Sequence, residues 1–242
     1  MGIFMEMEDY LSHVADLSDL SLTDQMIRRF SIFYEMLIET NKSMNLTTIT
    51  DMEEVVLKHF IDSLMVSKYF DFSGCSMIDV GTGAGFPGIP LAIFYSNTKF
   101  VLLDSLKKRL RFIDQVLEKC ELNHVTLIHG RAEDYGRDGM YREQFDFCVS
   151  RAVASLPVLL ELCTPFVRVG GKFISYKSEQ LAEELGQSKN ALSILKCELN
   201  QEIPYHIPDT DYSRILAVFN KKNKIGKQYP RQAGKPKRSP LL

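Results

Sequence analysis

The sequence contains no tryptophan, and its five cysteines, at positions 75, 120, 148, 163 and 197, form no C-x-x-C pair. That scatter argues against a zinc site and against a disulfide framework, and points to a reducing, cytoplasmic compartment. No apolar run reaches the length of a membrane span. Met1 to Tyr10 is acidic and too mixed for a signal peptide, and Met1-Gly2 is not followed by the Ser or Thr of a myristoylation signal. Charge of one sign is not in excess overall, since 29 Lys and Arg face 31 Asp and Glu. Locally it is: from Lys221 to the end there is no acid at all, while Lys222, Lys224, Lys227, Arg231, Lys235, Lys237 and Arg238 follow. Such a basic end suggests an anionic partner such as nucleic acid, or else a solubilising extension.

What remains is a chain of 242 residues with ordinary apolar and charged fractions, long enough for one large domain with an extension. It is organised around Met77-Ile78-Asp79-Val80-Gly81-Thr82-Gly83-Ala84-Gly85-Phe86-Pro87-Gly88. This reads as a buried strand, a glycine-rich turn and a helix start. Gly81, Gly83 and Gly85 allow positive φ and close approach of a ligand to the backbone, and a strand-to-helix turn aims free N–H groups into that space. The dinucleotide pattern G-x-G-x-x-G occurs as Gly83, Gly85 and Gly88, but two residues late and with Pro87 inside it. The register Asp79-x-Gly81-x-Gly83-x-Gly85 suits S-adenosylmethionine (SAM) better than a nicotinamide cofactor.

Around this turn the chain divides into three parts: residues 1–72, a helical extension packed on the core; 73–220, the ligand-binding α/β domain; and 221–242, a basic tail separable from cofactor binding. In the first part Ser21-Leu22-Thr23-Asp24 is a helix start, and Met26, Ile27, Phe30, Phe33, Leu37 and Ile38 recur at helical spacing. A polar loop spans Asn41 to Thr50. A helix resumes from Val55 to Tyr69, where His59 and Asp62 share a face, as a site-facing pair or as a structural contact. In the second part, strands at 99–104, 125–129, 145–150 and 172–177 alternate with helices, and strands at 196–205 and 214–220 close the series. This pattern predicts a mostly parallel seven-stranded sheet with an antiparallel final hairpin. Asp104 ends the second strand and is placed to accept hydrogen bonds from a ribose. The basic cluster Lys107, Lys108, Arg109 and Arg111 opens a helix, where cations are disfavoured unless something anionic is near. Ala132 and Glu133 follow the third strand, the end that contacts adenine in SAM enzymes. Arg151 follows the fourth strand, at an end where ligands bind in open α/β sheets, and Lys177 ends the fifth.

Two further absences narrow the chemistry. After the fourth strand stands Ser150-Arg151-Ala152, not the Asn/Asp-Pro-Pro-Tyr of enzymes that methylate exocyclic amines. No cysteine follows a proline, as the nucleophile of carbon-5 pyrimidine methylation usually does. Guanine N7 needs no deprotonation, so an enzyme for it needs positioning and charge management and no general base.

The whole set of motifs resembles the RsmG family, also called glucose-inhibited division protein B, bacterial 16S rRNA guanine-N7 methyltransferases. The resemblance rests on Asn45-Leu46-Thr47, His59-x-x-Asp62-Ser63, Asp79 to Gly88, Lys108-Arg109, Gly130-Arg131-Ala132-Glu133, Ser150-Arg151-Ala152 and Tyr229-Pro230-Arg231. It implies a Rossmann-like class I methyltransferase fold, with SAM as methyl donor bound through Gly81, Gly83, Gly85, Phe86, Asp104, Ala132, Glu133 and Arg151. His59, Asp62, Arg151 and Lys177 would position the substrate. It also implies a guanine of the decoding-region loop as target, 16S rRNA or the small ribosomal subunit as partner, and a monomer acting in the cytoplasm without metal or membrane. One departure is Ser178 after Lys177, where the family often has glycine. Alternatives are a small-molecule methyltransferase of the same fold, which needs no basic tail, and a non-catalytic RNA-binding protein, against which the intact glycines and Asp104 argue.

Overall fold

The structure, a computed structural model, describes residues 2–208 and 210–242; Met1 and Asp209 lie outside the described residues. Three helical stretches come first. Helix α1 (Gly2–Leu17) buries Met7, Leu11, Val14 and Ala15 along one face. Helix α2 (Asp24–Met44) starts where Thr23 Oγ1 accepts the Met26 N–H, at 3.3 Å. It continues into the segment expected as a polar loop, because Asn45 adopts the left-handed conformation and its N–H closes on the Asn41 carbonyl. The third stretch, 52–68, is irregular: α3 (Met52–Val55), a π-helical turn (Val56–Ile61), α4 (Asp62–Leu64) and a 3₁₀ turn (Met65–Lys68).

The sheet has seven strands in the order β3-β2-β1-β4-β5-β7-β6: β1 (Ser76–Val80), β2 (Lys99–Asp104), β3 (Val125–His129), β4 (Phe145–Arg151), β5 (Val167–Lys177), β6 (Cys197–His206) and β7 (Ser213–Lys221). The first five run parallel, and β7 pairs antiparallel with both β5 and β6. The crossovers are α5 (Gly88–Phe94), α6 (Lys107–Lys119), α7 (Ala132–Tyr135), α8 (Leu156–Cys163), then α9 (Leu181–Gln187) and α10 (Lys189–Ile194). The order reverses between β1 and β4, so the carboxyl ends of those strands flank a crevice. Strand β5 starts earlier than expected: Phe145 pairs with Val167 but Phe147 with Lys172, so the chain bulges between them, with Gly170 at φ +83°.

The helices at 1–72 share one apolar core with the sheet. Phe33 of α2 is fully buried, with ring centroids 5.6 Å from Phe60, 5.1 Å from Phe86 and 6.3 Å from Phe112. Phe86 belongs to the glycine-rich turn, so α2 packs directly beneath the crevice. Among the described residues no helix is long and apolar enough to cross a membrane.

The residues expected as a separable basic tail are built into the fold. Lys221 is the last residue of β7 and is buried, its Nζ 2.8 Å from Glu143 and 3.0 Å from the Thr164 carbonyl. Ile225 and Leu241 enter the core, and the Arg142 guanidinium donates to the carbonyls of Ile225 and Tyr229. Arg231 makes a forked ion pair with Glu161, which is fully buried. A last short helix, α11 (Lys235–Arg238), follows. The reason for the difference is that Ile225 is isolated among cations, and Glu143 and Glu161, the acids that receive Lys221 and Arg231, lie far away in sequence. Arg231→Ala leaves Glu161 charged and unpaired and is expected to cost about 3–5 kcal/mol, whereas Lys224→Ala at an exposed site should stay within about 0.5 kcal/mol. Urea unfolding of both variants checks this; equal midpoints would contradict the packing described.

Candidate functional site

A cleft of about 830 Å³ opens at the carboxyl ends of β1, β2, β4 and β5. Its floor is the glycine-rich turn. Gly81, Gly83 and Gly85 have φ of +78°, +63° and +101°, which an L side chain rarely adopts. Their surroundings differ. A Cβ on Gly81 would meet Val153 at 2.6 Å and one on Gly85 would meet Ile89 at 2.4 Å, but one on Gly83 would meet nothing nearer than the Gly81 carbonyl at 3.9 Å. Gly83 therefore faces the open cleft.

Two buried carboxylates hold this turn. Asp104 Oδ2 accepts the Gly83 N–H at 2.9 Å and Oδ1 accepts the Leu106 N–H at 2.8 Å. Asp79 Oδ2 accepts the Gly88 N–H at 3.0 Å. Asp79 is wholly buried, and burial pushes its carboxyl up to about 7. The basic start of α6 finds part of its anion in the chain itself, with Arg109 lying 3.6 Å from Asp104; Lys107, Lys108 and Arg111 remain exposed.

One wall comes from the π-helical turn. His59 stacks on Phe86 with centroids 4.5 Å apart and planes at 19°, and its Nε2 hydrogen-bonds with the Thr47 hydroxyl at 2.8 Å. Burial and the nearby Arg151 charge lower its pKa to about 3, so the ring is neutral at physiological pH. Asp62 also lines the cleft, but its carboxylate is committed: Arg151 donates to Oδ2, and the Tyr205 hydroxyl donates to Oδ1 at 2.7 Å. Burial raises the Tyr205 pKa well above its ordinary value, which keeps the hydroxyl a donor. Arg151 also donates to the Lys58 carbonyl at 3.3 Å and lies over the Phe86 ring at 5.3 Å. The expected His59–Asp62 pair thus faces the cleft as two separate functions, one aromatic and neutral, the other fixing Arg151. The preceding-strand connection is strained, with Ala152 at φ +56°.

On the β5 side, Lys177 Nζ bonds Glu184 at 2.6 Å and the Ala154 carbonyl at 3.3 Å. At the opposite end, Ala132 and Glu133 begin α7, and Glu133 Oε1 accepts the N–H of Gly234 at 2.8 Å. The cleft brings together Gly81, Gly83, Phe86, Asp104, Ala132, Glu133, His59, Asp62, Arg151 and Lys177; Gly85 stands behind them, packed on Ile89. Sequence reasoning did not single out Tyr205, Glu184, Arg214, Gly234 or Pro236, and read Lys237 only as part of the basic tail. Tyr205 and Gly234 carry no local signal, since their partners Asp62 and Glu133 are remote in sequence. Burial disfavours the thiolate at three cysteines: it pushes the Cys120 and Cys197 thiols up to about 11 and about 12, and raises that of Cys148 well above its ordinary value. Among the described residues no group of three or more His, Cys, Asp or Glu side chains could hold a metal ion.

This architecture is that of the Rossmann-like methyltransferases. A SAM dependent methyltransferase from Aquifex aeolicus matches with a TM-score of 0.55 at 14% identity, over 72% of this chain and 96% of that one. TYW2 from M. jannaschii, crystallised in complex with AdoMet, matches at 0.51 and 16% identity, over 67% and 76%. At such identities the likeness speaks for the fold alone. Sequence goes further. The profile of rRNA small subunit methyltransferase G (GidB) matches residues 26–209. The ribosomal RNA small subunit methyltransferase G of Lachnoclostridium phytofermentans is 45% identical over 92% of this chain and 93% of its own length. That of Alkaliphilus oremlandii is 44% identical over 98% and 100%. The chain belongs to the rRNA small subunit methyltransferase G family.

The low His59 pKa gives a pH prediction. Between about pH 3 and 6.5 the unfolded chain binds a proton at this histidine that the folded chain refuses, so the histidine lowers stability as pH falls through that window. Asp79 acts oppositely, because the folded chain keeps its proton up to about 7 while the unfolded chain releases it near 3.8. His59→Gln removes the first contribution and leaves the second. Its melting temperature, measured from about pH 6.5 down to 4, should fall less on acidification than that of the parent. Parallel curves would show that His59 is not buried as described.

Proposed function

We propose that this enzyme transfers the methyl group of SAM to N7 of a guanine in 16S rRNA, acting in the cytoplasm on the rRNA or the small ribosomal subunit. The observation that carries the reading is the pairing of an open glycine cradle with a polar half-cleft in which His59, Asp62 and Glu184 are all engaged with partners. His59 is neutral and engaged with Thr47, Asp62 is taken by Arg151 and Tyr205, and Glu184 is taken by Lys177. A nucleophile that carries its own lone pair suits such a site, since no proton leaves the base when N7 is alkylated.

The residues fit SAM as donor. Gly83 leaves space over the cradle, Asp104 sits beneath it with lone pairs to spare for ribose hydroxyls, and Ala132, Val158 and Leu162 offer an apolar slot for adenine. When bound, SAM supplies an electrophilic methyl on a sulfonium. The chain positions and shields. Arg151, fixed by Asp62, Tyr205 and the Lys58 carbonyl, presents a rigid cation beside Phe86, able to hold a guanine or phosphate oxygen. The neutral His59–Phe86 stack spares the methylated base, which becomes cationic, from a facing imidazolium. Lys58, Arg131, Arg214 and Lys237 at the cleft supply positive charge for the RNA backbone. One chain holds this whole set, which supports a monomer.

The test is transfer of labelled methyl from SAM to small-subunit particles from cells lacking the enzyme, followed by nucleoside analysis. We expect N7-methylguanosine at a single site. Gly83→Asp should abolish transfer and SAM binding while leaving the fold intact, because Asp tolerates positive φ but projects into the cleft. Binding of SAM without transfer to particles or naked rRNA would favour the small-molecule alternative.

A further inference from the structure

The Tyr229-Pro230-Arg231 motif has no part in the mechanism above, yet the segment it opens reaches the cleft. Three fastenings hold them there. Arg231 donates to both Glu161 oxygens, at 2.8 Å from Nε and 2.6 Å from the terminal nitrogen, and its backbone N–H adds a third bond at 2.8 Å. Arg137 donates to the Pro230 carbonyl at 2.7 Å. Glu133 accepts the Gly234 N–H at 2.8 Å. The same Glu133 is a cleft residue in the first turn of α7, so the strap is tied to the cleft wall itself.

Beyond Gly234, which takes φ +80°, the chain turns so that Pro236 is buried and lines the cleft together with Lys237. The surfaces they complete are those of Ala132 on α7 and of Val158 and Leu162 on α8. Helix α11 packs against α8, so residues 234–237 stand at the end of the cleft that α7 and α8 line.

Resting on the reading that SAM occupies the cleft, we infer that residues 229–238 form the outer wall of its adenine end. Gly234, Pro236 and Lys237 are then cofactor-binding residues, and Arg231 is a positioning residue that acts through the strap. It follows that strap order and SAM affinity are linked: a ligand that binds only the strapped form stabilises it by mass action. The basic segment therefore serves the cofactor as well as any RNA.

Hydrogen exchange of the full chain with and without saturating SAM tests this directly. The expected result is slowed exchange in three places on adding SAM: residues 81–88, residues 130–134 and residues 232–238. Protection of the first two without the third overturns the inference and leaves the cofactor reading standing. Protection in none of them overturns both. As a second arm, Pro236→Gly should weaken SAM binding about tenfold by calorimetry, the equivalent of losing one side chain's apolar contact. Lys224→Ala, exposed and outside the strap, should leave it unchanged. Equal affinities of Pro236→Gly and the parent would overturn the proposal.

Discussion

Everything at this site depends on two strand-end carboxylates hydrogen-bonding backbone N–H groups of the glycine-rich turn. A turn that is neither helix nor strand must find acceptors for its N–H groups elsewhere. Asp104 provides one for Gly83 and Asp79 one for Gly88. These bonds set how far the turn stands off the sheet, and so fix the open space above Gly83. They are made at a cost, because Asp79 is removed from water and holds its proton up to about 7. The turn approaches the sheet closely, since a Cβ on Gly88 would lie 2.3 Å from Leu102 and 2.8 Å from Asp79.

A second constraint joins the N-terminal helices to the sheet. Arg151 leaves β4 and crosses to Asp62 and the Lys58 carbonyl, Tyr205 reaches the same Asp62 from β6, and Tyr176 of β5 donates to the Ser63 carbonyl at 2.7 Å. Phe86 lies under this knot, between His59 and Phe33. The helices are therefore part of the site, and the guanidinium is held by Asp62 and the Lys58 carbonyl beside the Phe86 ring. A buried charge so enclosed is a matter of placement more than of stability.

Much of this was legible in the chain. The glycine turn and the strands that end in Asp104 and Arg151 carry their information within a dozen residues each, in apolar runs closed by a polar residue. A mostly parallel sheet then follows from the alternation of strand and helix, while its strand order does not. What escaped had its partner far away. The tail reads as a charged extension because Ile225 is a single apolar residue among cations, and nothing near Arg231 indicates Glu161. Tyr205 reads as one more strand residue until β6 is placed beside the irregular helix. The π-helical turn at 56–61 leaves no mark in a helical pattern, though it sets where His59 points. The long start of β5 was hidden because Gly170-Gly171 reads locally as a turn.

The measurement that tests the account most directly is the SAM affinity of Asp104→Ala, determined by calorimetry beside its thermal unfolding. If Asp104 both holds Gly83 and faces the ribose, affinity should fall about a hundredfold, as expected for losing charge-assisted hydrogen bonds, while the protein still unfolds in one cooperative transition. An unchanged affinity in the folded variant would mean that the cradle is held by something else, and the cofactor site described here would be wrong.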